Sequence, residues 1–165
     1  MWCSRAIVAF ALLTAACGFQ PLYGERAGAP TVAAMAETRI NLIPDRAGQE
    51  LRNNLLDRLN PRGAPARPRY ELDVRLGERL DRLGIARNDT TTYARLTLTA
   101  DFTLREVGKP APVYSGQSRW TDGYTVVSSH FANLNAEADA RSKALREIGN
   151  DIQQKLGVYF SGQAG

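Results

Sequence analysis

Cys17 carries the most legible chemistry in the chain. Eight apolar residues, Ala6 to Leu13, follow a start region with one positive charge, Arg5, and the small residues Thr14-Ala15-Ala16 lead into the cysteine. That is the layout of a secretory signal peptide, and eight residues cannot cross a bilayer, which needs about 20 in a helix. A small-small-cysteine junction is also what a lipoprotein signal peptidase reads, although Thr14 stands three before the cysteine where leucine is usual. Cleavage before Cys17 would make it the new N-terminus, with diacylglycerol on sulfur and an amide-linked acyl chain. Two or three acyl chains, at about 0.8 kcal/mol per buried methylene, form a lasting anchor. The cysteine count supports this reading. Cys3 leaves with residues 1–16 and no cysteine follows Cys17, so an unmodified Cys17 would be a lone thiol in an oxidising compartment. The alternative is a secreted protein with an ordinary cysteine near its cleavage site. Gly18, where aspartate would retain a lipoprotein at the inner membrane, favours the outer membrane with the domain in the periplasm.

Catalytic patterns are poor. His130 is the single histidine, and Ser128 and Ser129 stand too near it in sequence to read as nucleophile and base. Glu71 and Asp73 share one strand face, as solvated pairs commonly do, and no Cys/His/carboxylate set has ligand spacing. No glycine-rich phosphate loop exists. The expectation is a protein that is not an enzyme, with no metal and no cofactor beyond the covalent lipid on Cys17. Binding is the remaining possibility. Arg79, Arg82 and Arg87 cluster near a turn, with Arg95 and Arg105 on the following strand. Guanidinium groups there suit an anionic lipid headgroup through charge-assisted hydrogen bonds, unless Asp81 and Asp89 neutralise them. Arginine outnumbers lysine 18 to 3, which a GC-rich genome also explains. The net charge of +4, falling to +3 without Arg5, is too mild for a nucleic-acid face.

These residues need a scaffold, and the pattern supplies one of a size suited to a single core. Residues 17–37 form a lipidated N-terminus and an Ala/Gly/Pro-rich tether, 38–160 one domain, and 161–165 a frayed tail. Residues 38–43 alternate and stop at Pro44, which reads as a short strand. Leu51, Leu55 and Leu59 place a helix over 47–59, with Asp45 as a candidate cap. Tyr70, Leu72, Val74 and Leu76 mark a strand whose alternation blurs after Gly77, continuing past a bulge. A long strand follows, with Thr92 to Leu104 inward at even positions and Tyr93 to Arg105 outward at odd ones. Gly108-Lys109-Pro110 turns into a strand from Val113 to about Thr121, closed by Asp122-Gly123. Leu134, Ala138, Leu145, Ile148, Ile152 and Leu156 predict a final helix from an Asn133 cap to Gly157. The order β-α-β-β-β-α implies an α+β, two-layer sandwich with two helices on one face of a four-stranded sheet. The other, polar face stays open.

Two stretches resemble one family. Cys17-Gly18-Phe19-Gln20-Pro21-Leu22-Tyr23-Gly24 is similar to the mature start of LptE, the lipopolysaccharide-assembly lipoprotein, and residues 131–140, Phe-Ala-Asn-Leu-Asn-Ala-Glu-Ala-Asp-Ala, resemble the same family. The resemblance implies an outer-membrane lipoprotein that plugs the lumen of the LptD β-barrel, helps it assemble, and serves delivery of lipopolysaccharide to the outer leaflet. No family binding residue transfers onto the arginine-rich hairpin. The competing expectation is a stand-alone periplasmic-facing lipoprotein that binds a ligand or another envelope protein without a barrel.

Overall fold

The computed structural model describes residues 29–83 and 92–163, so Cys17, Gly18, Arg87 and Asp89 lie outside the described residues. Helix α1 spans Ala29–Ala36, strand β1 Thr38–Ile40, helix α2 Asp45–Leu59, strand β2 Tyr70–Leu83, strand β3 Thr92–Glu106, strand β4 Pro112–Val126 and helix α3 His130–Gln163. The four strands stand in chain order in one sheet. β1 runs parallel to β2, and β2, β3 and β4 form an antiparallel meander.

Alternation decides the layers. On β3, Ala94, Leu96, Leu98, Ala100, Phe102 and Leu104 are all buried beneath the helices. Leu72 and Val74 of β2 and Ser118 of β4 are buried on the same side, with Tyr114 and Trp120 packed against the core. Leu51, Leu55 and Leu59, one turn apart on α2, close one part of this layer, and Ala144, Leu145, Ile148, Ile152 and Leu156 of α3 close the rest. Both long helices therefore cover one sheet face, the expected two-layer arrangement.

Several boundaries differ from the expectation. The segment read as a tether through residue 37 contains helix α1, because its apolar positions find tertiary partners. Thr31 and Met35, one turn apart, are buried, Asn60 Nδ2 donates to Ala36 O at 3.0 Å, and Thr38 Oγ1 donates to Ala34 O at 3.0 Å. β1 ends at Ile40 rather than residue 43, and α2 opens at Asp45, itself in the left-handed region at φ 66°, with Pro44 rather than Asp45 at the cap position.

β2 runs in unbroken register through Leu83, with no bulge at Gly77. Glu78 falls on the helix side there, and Arg141 of α3 receives it with Nε and Nη2 at 2.8 and 2.7 Å. Asp122-Gly123 does not end β4: Asp122 pairs with Lys143 at 3.0 Å, and Gly123 stands opposite Arg95. The final helix starts at His130, where Ala132 N donates to Ser129 Oγ at 3.4 Å. Asn133 instead clamps the end of β4, accepting from Val127 N at 2.8 Å and donating to Val127 O at 2.7 Å. α3 also continues past Gly157 to Gln163, because Tyr159 stacks on Tyr114 at 5.0 Å and Phe160 meets Tyr70 at 5.1 Å.

The β3–β4 hairpin calls for glycine at two points. Gly108 takes φ 84° in the β3–β4 turn, and a Cβ on Gly116 would stand 2.6 Å from the Phe102 ring.

Candidate functional site

The odd-numbered residues of β2 and β3, and those of β4 from Ser115 onward, share the face that no described helix covers. Cross-strand register sets them in rows: Glu71 with Arg105, Asp73 with Thr103 and Ser115, Arg75 with Asp101 and Gln117, Gly77 with Thr99 and Arg119, Arg79 with Thr97 and Thr121, Asp81 with Arg95 and Gly123. The surface is polar throughout except at its far end, where Tyr93 is 60% exposed.

Its two halves differ electrostatically. In the half nearest β1, charges other than Arg75 are matched: Arg105 bonds Asp73, Arg39 bonds Glu71, Asn41 Nδ2 donates to Asp73 Oδ1 at 2.8 Å, and Gln117 Nε2 donates to Asp101 Oδ1 at 2.7 Å. A shallow hollow of about 470 Å³ lies there, lined in part by Asp73, Asp101, Thr103 and Arg105 and edged by the exposed Leu42. In the far half Arg79 Nε bonds Asp81 at 2.9 Å, and Thr97 and Thr121 share a hydroxyl hydrogen bond at 3.2 Å. Arg95 and Arg119 make no ion pair among the described residues.

The five arginines singled out from the sequence are therefore dispersed. Arg79 and Arg95 share the open face. Arg105 is on that face but ten residues along β3 from Arg95, roughly 33 Å in an extended strand. Arg82 is on the opposite face, where its charge acts on Glu137 and Tyr124. Arg87 lies outside the described residues. Sequence reasoning missed Arg119, and completing the odd-even count along β4, as along β3, finds it.

Arg82 belongs to a second polar group beneath the start of α3. Arg141 bridges Glu78 and Glu137, and Tyr124 Oη donates to Glu137 Oε2 at 3.2 Å. Arg141's hydrogen bond is the main reason the Glu137 carboxyl is held below its ordinary value, with help from Tyr124 and Arg82 against the opposing effect of burial. Burial, with the Glu137 charge, pushes the Tyr124 hydroxyl up. This group joins helix to sheet at the partly exposed margin of the covered face.

His130 is exposed at the first residue of α3, and Ser129 beside it serves as the helix cap. Glu71 and Asp73 are both committed to arginines. Among the described residues no three His, Cys, Asp or Glu side chains converge as a metal site, and no helix is long and apolar enough to cross a membrane.

Solved structures share this architecture. A lipoprotein from Caulobacter crescentus CB15 superposes with a TM-score of 0.66 at 21% identity, covering 81% of this chain and 98% of that one. A minor lipoprotein from Acinetobacter baumannii superposes with a TM-score of 0.53 at 14% identity, covering 75% and 92%. At these identities the likeness is one of fold. No curated protein matches the chain significantly. The family described as LptE, lipopolysaccharide-assembly, matches over residues 31–156, which takes in the whole sheet and most of both long helices. The match begins beyond Cys17 and its neighbours, so it rests on the folded domain and not on residues 17–24. On that match, the chain belongs to the LptE lipopolysaccharide-assembly family.

Proposed function

We propose that this chain is an outer-membrane lipoprotein that seats its domain in the lumen of the LptD β-barrel and supports that barrel's assembly and its delivery of lipopolysaccharide. The observation that carries the reading is the open sheet face: across the rows from Glu71 to Asp81, one side of the three-stranded meander is Thr, Ser, Arg, Asp, Glu, Gln and Gly with no described element over it. A face that polar suits a barrel lumen, which is lined by polar residues and water. Arg95 and Arg119, cations on that face without an ion pair among the described residues, are the groups assigned to phosphates of the lipopolysaccharide headgroup.

Cys17 is the assigned acylation site, and the tether between it and α1 keeps the domain at high local concentration beside a membrane-embedded partner. Replacing Cys17 with alanine should abolish incorporation of labelled fatty acid, and equal labelling of both proteins would refute the anchor. For the partner, extraction in mild detergent through a tag on this chain should recover one large heat-modifiable barrel in constant ratio. Recovery of the chain alone, in detergent that leaves other envelope complexes intact, rejects the barrel reading and leaves the stand-alone lipoprotein.

A further inference from the structure

The two edges of the sheet are finished differently. β4 starts at Pro112, which has no N–H to offer. Lys155 Nζ donates to Gln117 O on its outer edge at 2.6 Å, Asp122 Oδ1 accepts from Gly123 N at 2.9 Å, and Asn133 takes both backbone groups of Val127 just beyond the strand. These are ordinary protections against stray strand pairing.

β2 has none of them. β1 pairs only with Tyr70, Glu71 and Leu72, Asn41 N donates to Leu72 O at 3.0 Å, and the chain then leaves at Pro44. Backbone direction alternates along a strand, so past Leu72 the outward N–H and C=O groups belong to Val74, Leu76, Glu78, Leu80 and Arg82. Among the described residues no backbone or side-chain group bonds to that edge, and neither proline nor bulge interrupts it. It runs for about 30 Å.

Alongside lies a groove of about 330 Å³ between β2 and the start of α2, floored by Pro44, Ala47, Gly48 and Leu76. Leu76 and Leu80 are half-buried, Arg141 already neutralises Glu78, the one carboxylate that β2 itself turns to the groove side, and Asp45 stands at the groove's α2 rim. On the opposite, open face the edge carries Arg75, which makes no ion pair among the described residues.

We propose that Val74–Arg82 receives an extended segment of a partner polypeptide as a fifth strand, lying beyond the end of β1 on the same side of β2. Donors and acceptors that recur at every second residue are matched by another extended backbone. The segment alternates apolar with acidic side chains: the apolar set enters the groove against Ala47, Leu76 and Leu80, and the acidic set lies beside Arg75 on the open face. This strand addition stands apart from the barrel reading, since it concerns an edge and not a face.

The test uses the full chain in detergent and two end-blocked synthetic decapeptides, one alternating valine with glutamate and one alternating valine with lysine. Amide exchange is followed residue by residue by NMR. With the glutamate peptide, exchange at Leu76, Glu78 and Leu80 slows about tenfold, while Arg119 and Thr121 on the outer edge of β4 are unchanged. The surface substitution Arg75→Glu keeps the fold and weakens that peptide's affinity about fivefold. Exchange unaffected by either peptide overturns the strand addition, and equal slowing by both overturns the acidic assignment. Slowing that grows with protein concentration without peptide, alongside a dimer in sedimentation, also overturns it, because a second copy then takes the edge.

Discussion

The same three strands present one face to the helices and one to solvent, and the two are built for opposite ends. On the covered face, Leu96, Leu98 and Phe102 are almost wholly removed from water, and their burial stabilises the domain by about 25 cal/mol per Å² of apolar surface. On the open face, one residue away along the same backbone, Arg95 and Asp101 are exposed and Thr97 and Thr99 are half-buried. Stability is thereby concentrated on one side of β3 and the capacity to bind on the other. Changes on the first should unfold the protein, and changes on the second should spare the fold and alter what it holds.

The largest effect is expected at the centre of the covered face. Phe102→Ala leaves a cavity beneath Gly116 and Tyr114 and costs about 3–5 kcal/mol, read as a lower urea midpoint with unchanged slope. A loss under about 1 kcal/mol would mean that the helices are not packed on this face as described.

Gly116→Ala comes next. Its new methyl would meet the Phe102 ring, and overpacking of this kind costs about 1–3 kcal/mol. Combined with Phe102→Leu, the two losses should sum to less than their separate values, because the shorter side chain makes room. Strict additivity would show that the two sites are not in contact.

A smaller effect belongs to the polar group at the far end of the covered face. The Glu137 carboxyl titrates below its unfolded value, so its contribution is present above about pH 4.5 and fades as pH falls through the folded pKa. Glu137→Gln should therefore lower stability at pH 7 by no more than about 1 kcal/mol, since the pair is partly exposed, and the gap to wild type should close in acid. A gap that widens in acid contradicts the sign.

Smallest in stability is the open face. Arg95→Glu with Arg119→Glu should leave unfolding within about 0.5 kcal/mol of wild type while lipopolysaccharide co-purification falls. Loss of stability without loss of lipopolysaccharide would invert the division of labour between the faces.

Much of this was legible in the chain. Every buried residue named on β3 follows from the single alternation Ala94 to Leu104, and Leu51, Leu55 and Leu59 place α2 on the sheet without further help. The misjudged boundaries share one cause: local signals yielded to distant partners. Asp122-Gly123 has the chemistry of a turn, yet Lys143 holds Asp122 in a continuing strand. Gly157 looks like a helix end, yet Tyr159 and Phe160 stack on the sheet's aromatics and carry α3 onward. The Ala-rich stretch before β1 looks like a linker, yet Asn60 and the core take it as α1. The candidate arginines scattered for a related reason: closeness in sequence says nothing of face, and one residue of offset puts Arg82 on the far side of the sheet from Arg79.

What the amino-acid order determined alone was periodicity: the types and succession of the elements other than α1 and the polar or apolar character of each face, because these depend on spacings of two and of three to four residues within one segment. The tertiary structure decided which edge of the sheet was left unpaired, where each strand stopped, and which charges found partners. Those outcomes depend on groups far apart in the chain, such as Glu78 and Arg141, or Lys155 and Gln117, and no local pattern encodes their meeting.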